Sequence, residues 1–379
     1  MKIRLPSTEG KSEFYHLVGE PIAIRRPKAP FNRVAFTAAH VVADPLSSVP
    51  ALDWDKTLAF RRYLLDQGFG VAEAMDTSQR GMGLDWPMAL ELISRSLKSA
   101  GSNASRIYSG CGTDQLSPEN ARTLDDVVKA YLEQLHAVQK LGGRVIMMAS
   151  RALVRVAKSP DDFVNVYARV LKEADHPVIL HWLGEMFDPA LKGYWGSNDF
   201  PDAMKTCLSV INTDVAKVDG IKISLLDASK EIAFRRQIPP SVKMYTGDDF
   251  NYPELIAGDE QGHSHALLGI FAAIAPAAAL ALNALAKGNT KKFHSILAST
   301  VPLSRLIFQA PTQYYKTGIV VLAWLNGHQE HFIMVNGAQS ARPLTYFTEV
   351  FKLADQAGLL RDPDLAVKRM KTLLALYGQ

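Results

Sequence analysis

Cysteine is scarce: Cys111 and Cys207 are the only two in 379 residues. Two thiols cannot build a disulfide framework or a cysteine-rich zinc site. Both are expected to serve as small apolar residues in a reducing compartment. An excess of one charge is also lacking. The 42 Lys and Arg face 38 Asp and Glu, a net of +4, which over this length does not point to nucleic acid as a partner. No long hydrophobic run is present. The longest apolar stretch, 267–282, is broken by Gly269 and Pro276 and is shorter than a bilayer span, so no membrane is expected. The first residues hold no apolar segment of a secretory signal, which points to the cytoplasm. A G-x-G-x-x-G or Walker loop is missing too, which argues against a nucleotide-binding open sheet. What remains is 47% hydrophobic and 21% charged residues, the make-up of a folded globule.

Short β-rich runs alternate with longer amphipathic ones. The runs 33–39, 70–75, 106–109, 144–149, 177–181, 218–223, 242–245 and 265–270 read as strands. Several are apolar throughout, as parallel strands buried on both faces are. Ser117-Pro118-Glu119 reads as a helix start, with Gly142-Gly143 as its stop, and Ser159-Pro160-Asp161-Asp162 opens the next in the same way. Eight strands alternating with helices predict an α/β fold, a (β/α)8 TIM barrel. The predicted division is an N-terminal extension over 1–30, the barrel over 31–288 and a C-terminal helical region over 289–379. Helices are expected there at 290–308, 312–326, 344–357 and 364–376, packed on the barrel or on a neighbouring subunit.

In such barrels chemistry sits where strands end and βα loops begin. Lys222 is the most informative residue, because Val218-Asp219-Gly220-Ile221-Lys222-Ile223 otherwise reads as an interior strand. Burial disfavours the ammonium form, and a neutral amine can attack a carbonyl to form a Schiff base. A structural alternative is a lysine paired to Glu73 or Asp227 inside the barrel. A second chemistry stays open: Glu73, Asp76, His181, Glu185, Asp227 and His263 are oxygen and nitrogen donors of the kind that hold a divalent metal. If a metal is present, Asp76, Glu185, Asp227 and His263 are the expected ligands, in a metal-dependent sugar isomerase or epimerase. A non-catalytic barrel that binds a metabolite is the third reading.

Several pieces, in strand order, resemble one family. Gly220-Ile221-Lys222 resembles the Schiff-base motif of the dihydrodipicolinate synthase / N-acetylneuraminate lyase superfamily. Pro177-Val178-Ile179-Leu180-His181 is similar to its fifth strand, and Tyr245-Thr246-Gly247-Asp248-Asp249 to its S/T-G-D-D signature. Asp76-Thr77-Ser78 stands where that family has a Thr-Thr turn, and Gly110-Cys111-Gly112-Thr113 resembles its third-strand loop. Tyr315-Lys316-Thr317-Gly318 is similar to a Lys-containing run of its C-terminal helices. The resemblance covers roughly residues 30–330. It implies a dihydrodipicolinate-synthase-like branch and a homo-oligomer, a dimer or tetramer.

The chain also departs from the family. His181 replaces a proton-relay Tyr, Ser150-Arg151 replaces paired tyrosines, Gly184-Glu185-Met186 replaces Pro-Gly-Arg, and Gln79 stands in place of a Gly. These changes point away from dihydrodipicolinate synthesis. The expected activity is a class I lyase or aldolase of carbohydrate metabolism, acting on a small carbonyl-containing, polyhydroxylated acid or sugar derivative. Lys222 forms the imine, so no separate cofactor is expected, and His181 shuttles protons. Thr77 and Ser78 orient the substrate, or else cap the helix that starts near Asp85. Asp76, Glu185 and Asp227 position hydroxyls or tune Lys222, with Glu73, Gly110 and Asp248 also lining the site. Arg151 either clamps a carboxylate or is a solvated rim residue. Trp182, Tyr194 and Trp195 either stack on a sugar or pack in the core, and the segment 184–198 reads as a lid.

Overall fold

The computed structural model describes residues 1–7, 11–24, 26–27 and 29–379. All eight expected strands form, and they close into one parallel barrel. Two strands precede it: β1 (Lys2–Pro6) and β2 (Ser12–His16) pair antiparallel. The start of the predicted 1–30 extension is therefore a hairpin. The barrel strands are β3 (Ala35–Ala38), β4 (Gly70–Glu73), β5 (Ile107–Cys111), β6 (Arg144–Met147), β7 (Val178–Leu183), β8 (Val218–Ser224), β9 (Lys243–Thr246) and β10 (His265–Leu268). They follow one another around the wall, and β10 pairs with β3 to close it. Most of their residues are buried because helices cover the outside and side chains fill the lumen. Phe36, Tyr108, Ile146, Ile179, Tyr245 and Leu267 form that inner cluster.

Helix starts follow capping chemistry. Ser159 opens the helix Pro160–Lys172 as expected, and does so through a capping box with Asp162. Ser117-Pro118 does not open a helix. The Ser117 carbonyl accepts from Asn120 N in a turn, and the helix Leu124–Lys140 begins later, at a Thr123–Asp126 capping box. The expected helix 290–308 is two, Thr290–Ala298 and Val301–Ile307. Pro302 lacks the N–H that would continue the ladder between them.

The C-terminal helices pack on the barrel. At their centre runs Tyr315–Leu325, of which all eleven residues are buried. A helix apolar all round belongs inside a protein, and this one brings Tyr315, its first residue, to the barrel mouth. The N-terminal hairpin closes over the same region. Tyr15 donates to Asp355 at 2.7 Å, and Val18 N donates to the same carboxylate at 2.8 Å. No helix is long and apolar enough to cross a membrane among the described residues.

One buried ion pair ties the first barrel helix to the sheet. Arg61, from Trp54–Asp66, grips Glu73 at the end of β4 with two bonds, 2.8 and 2.9 Å. Its remaining donors go to the carbonyls of Thr57 and His40, and Glu73 also accepts from Ala74 N. Both side chains are almost fully buried. Removing one partner strands the other charge in a low dielectric, so Glu73→Ala and Arg61→Ala are each expected to cost about 3–5 kcal/mol. The joint change Arg61→Met/Glu73→Leu is expected to cost far less than their sum. Urea denaturation midpoints of the three variants check this.

Candidate active site

The register of the barrel sets the site. His181 on β7, Lys222 on β8 and Tyr245 on β9 are directly paired neighbours. Tyr245 belongs to the lumen cluster, so paired residues at the same level face inward with it. Tyr245 reaches downward, where its hydroxyl donates to Asp219 at 2.6 Å. Lys222 is 8% exposed, and among the described residues its amine makes no hydrogen bond or ion pair. Neither Glu73 nor Asp227 holds it. Burial lowers its pKa from the usual lysine value, against the raising influence of Asp76 and Asp249.

Gly247 makes room for this lysine. A Cβ there would meet Lys222 Cε at 2.7 Å and collide with Ser224 Oγ. The cavity beside the amine measures only about 10 Å3, room for little more than a water molecule. Asp76, Thr77, Ser224, Asp249, Phe308 and Tyr315 are among its walls. Asp249 is the carboxyl of the pair after β9 that faces the amine. It accepts from Ile270 N at 2.9 Å, and burial pushes its pKa up to about 7 even with Lys222 nearby.

The β4 exit is a tight turn. Ala74 and Gln79 both adopt left-handed backbone, with φ of 52° and 63°, around the short turn Asp76–Ser78. Gln79 holds this conformation where glycine is the easy choice. Its amide is anchored to the Val335 carbonyl at 3.0 Å. Thr77 and Ser78 do not cap the helix at Trp86, which has Asp85 as its own cap. Thr77 Oγ1 lies 2.7 Å from the Tyr315 hydroxyl, and Ser78 donates to the Ala39 carbonyl. Ser78 is thus committed to backbone. Tyr315 itself stacks on Phe308, with ring centroids 4.4 Å apart.

Above this floor lies a basin of about 260 Å3 that shares Asp76 and Leu183 with it. His181 lines the basin. Its Nε2 is 3.2 Å from Ser224 Oγ, and its Nδ1 is buried without a partner. Burial, then the Lys222 charge, holds its pKa well below the ordinary histidine value. Arg80 is fully committed in the wall, to Asp114, Gln134 and the carbonyls of Ala74 and Gly110. Gly110 therefore contributes its carbonyl to this wall. Arg151 lines the basin as well and pairs with Asp188 at 2.6 Å, about half exposed.

Other expected positions lie elsewhere. Glu73 is spent on Arg61, outside both cavities. Asp227 caps the helix Ala228–Arg235, accepting from Ser229 N and Lys230 N. Asp248 accepts from Phe250 N and from both the backbone and side chain of Asn251, a turn-holding role. Glu185 is exposed and borders a separate cavity of about 210 Å3. His263 precedes β10 and so sits at the closed end, opposite the mouth. Asp76, Glu185, Asp227 and His263 do not converge. Among the described residues no group of three or more His, Cys, Asp or Glu is arranged to hold a metal. Trp195 and Tyr194 are buried against Phe163 and Tyr167, in the core.

Two residues of the floor, Asp249 and Tyr315, belong to motifs named above but were given no role in the site. The sequence Asp248-Asp249-Phe250-Asn251-Tyr252-Pro253 carries the signal for the first. An Asp shortly before a Pro-headed helix is a turn-and-cap residue, which leaves Asp249 for the lumen. For Tyr315 the signal is a polar Tyr-Lys pair opening an otherwise apolar helix.

Solved structures share this fold. A prophage protein of the dihydrodipicolinic acid synthase family from Escherichia coli K12, in complex with pyruvate, superposes with a TM-score of 0.68 at 14% identity. Dihydrodipicolinate synthase from Thermotoga maritima gives 0.66 at 16%. The Acinetobacter baumannii enzyme complexed with pyruvate gives 0.63 at 15%. Each match covers 86% of this chain and 99% of the other. The dihydrodipicolinate synthase barrel expected from the motifs is therefore the fold observed. No curated protein sequence matches. Residues 3–379 match the model of a family described as a protein of unknown function, DUF993, and the chain belongs to that family.

Proposed function

We propose that this protein is a class I lyase or aldolase that forms a Schiff base between Lys222 and a carbonyl-containing, polyhydroxylated acid or sugar derivative. The observation that carries the reading is the Lys222 amine: buried at the barrel mouth, without a fixed partner, and open to a cavity. A structural lysine would be locked against a carboxylate. This one is kept short of counterions, and burial favours its neutral, nucleophilic form.

The neutral amine attacks the carbonyl carbon and a C–N bond forms. The oxygen takes up a proton, then a second, and leaves as water, giving the protonated imine. A base takes the proton of the substrate's β-hydroxyl, that fragment leaves as an aldehyde or ketone, and the imine takes up the electron pair of the breaking C–C bond as an enamine; protonation at carbon restores the imine, and its hydrolysis frees the lysine. Asp249 suits the proton transfers at the amine, since its carboxyl changes state near neutrality. His181 stays neutral through the physiological range and accepts protons by way of Ser224 Oγ. Thr77 and Tyr315, already hydrogen-bonded to each other, supply hydroxyls to a substrate oxygen. Asp76, unpaired and shared by floor and basin, suits a substrate hydroxyl.

Borohydride added with a reactive carbonyl substrate is expected to leave a reduced adduct, mapped by mass spectrometry to Lys222. Lys222→Ala abolishes it, and near wild-type turnover in that variant would overturn the reading. The pH profile supplies a second check. Burial raises Asp249, so its carboxylate, the base form, fills in as pH climbs through about 7. Turnover per KM is expected to rise over that interval. Asp249→Asn should remove this limb and slow the reaction roughly 10²–10⁴-fold. Retention of the same limb would exclude Asp249 as its source.

A further inference from the structure

A carbonyl must touch the Lys222 amine to react, and the closed floor leaves it no room. The cavity there measures about 10 Å3, enough for a water molecule. A carbonyl carrying even one small substituent is larger, so a wall has to move. The walls differ in how firmly they are held. Phe308 is fully buried and stacks on Tyr315, which is bonded to Thr77. Leu183 and Ser224 belong to barrel strands. Phe187 also lines the cavity, but it is half-buried and sits in the loop after β7. Its ring makes two edge-on contacts, with centroids 6.3 Å from Phe308 and 6.2 Å from Tyr315.

The segment 185–192 that carries Phe187 runs between two fixed points. At one end Gly184 N donates to the Ser224 carbonyl at 3.0 Å. At the other, the buried Tyr194 hydroxyl is bonded to Tyr167 and to Ser150 N. Between them the loop bonds to itself: Phe187 N and Asp188 N both donate to the Gly184 carbonyl, and Leu191 N to that of Asp188. Among the described residues its one polar link to the rest of the molecule is the ion pair of Asp188 with Arg151, at 2.6 Å. The segment also has a void on either side. Asp188 and Leu191 line the basin of about 260 Å3, while Glu185, Met186, Leu191 and Lys192 line the outer cavity of about 210 Å3. Close-packed segments resist displacement, whereas this one has space to move into.

We propose that Phe187 is the gate of the Lys222 cavity and decides which carbonyls reach the amine. The segment 185–192 carries the ring aside to admit a molecule from the basin, and the Arg151–Asp188 pair is the latch that holds it shut. Both latch residues line the basin, so a substrate meets them on its way to the lysine. The gate deepens the imine reading above, on which its purpose rests, by making access a selective step before chemistry.

The test measures access without a natural substrate. Propanal and cyanoborohydride alkylate lysines: the amine condenses with the aldehyde, water leaves, and hydride from the reagent reduces the imine. Peptide mass spectrometry follows Lys222 over time at fixed pH and low salt, where the latch is least screened. Iodoacetamide alkylation of the buried Cys111 and Cys207 gauges global opening. Phe187→Ala is expected to speed modification of Lys222 about 10- to 100-fold, the worth of two edge-on ring contacts. Asp188→Asn keeps a side-chain acceptor for Ala190 N and should speed it about 2- to 5-fold. The double variant should be no faster than Phe187→Ala, because the latch acts through the ring. The cysteines should not respond. An unchanged rate in Phe187→Ala overturns the gate. So does an unchanged rate in Asp188→Asn, since a fixed wall has no latch, or further acceleration in the double variant. Should Phe187→Ala expose the cysteines as well, the milder Phe187→Leu takes its place under the same criteria. Turnover retained in Lys222→Ala would end the imine reading and leave these rates as they are. A failed gate leaves the borohydride adduct at Lys222 as it is.

Discussion

Placing a lysine amine inside a closed barrel, without a counterion in contact, is the constraint around which this molecule is organised. Desolvating an ammonium is costly, and a chain usually avoids it by pairing the group or exposing it. Here several departures from ordinary packing preserve the arrangement. Gly247 withholds a side chain where one would strike the lysine. Glu73, the carboxylate nearest in sequence logic, is drawn outward to Arg61. Asp248 is occupied by the turn it holds, so only Asp249 turns inward. The result is a pair whose protons are delicately balanced, Lys222 shifted down and Asp249 shifted up.

The C-terminal helices complete the site rather than decorate it. Tyr315 walls the lysine cavity and bonds to Thr77, while the Val335 carbonyl anchors Gln79 in its left-handed turn. The mouth is thus closed by elements from both ends of the barrel sequence. A left-handed glutamine is tolerable there because its side chain has a fixed acceptor to hold.

Architecture was legible because parallel buried strands leave a simple mark: short apolar runs between long amphipathic ones. Pro302 and Thr123 show where the mark blurs, since the first splits an apparently continuous helix and the second starts a helix later than Ser117-Pro118 announces. Lys222 stood out because a charge inside an apolar strand has few explanations. The other carboxylates were harder to sort. Asp227 and Asp248 look like site residues by position and prove to be backbone caps, because the same side-chain oxygen that can bind a hydroxyl also binds a free N–H. His263 was misplaced by reading a strand's start as its mouth. Tyr315 comes from far along the chain, and only tertiary packing brings it to the lysine cavity.

The central helix Tyr315–Leu325 also governs when the site comes into being. A chain still emerging from the ribosome lacks this helix until synthesis is well advanced, although every barrel strand has already been made. Tyr315, at its head, walls the lysine cavity, so until the helix docks that wall is missing. The pocket around the lysine is therefore assembled late in synthesis, after all of the strands that form the barrel wall.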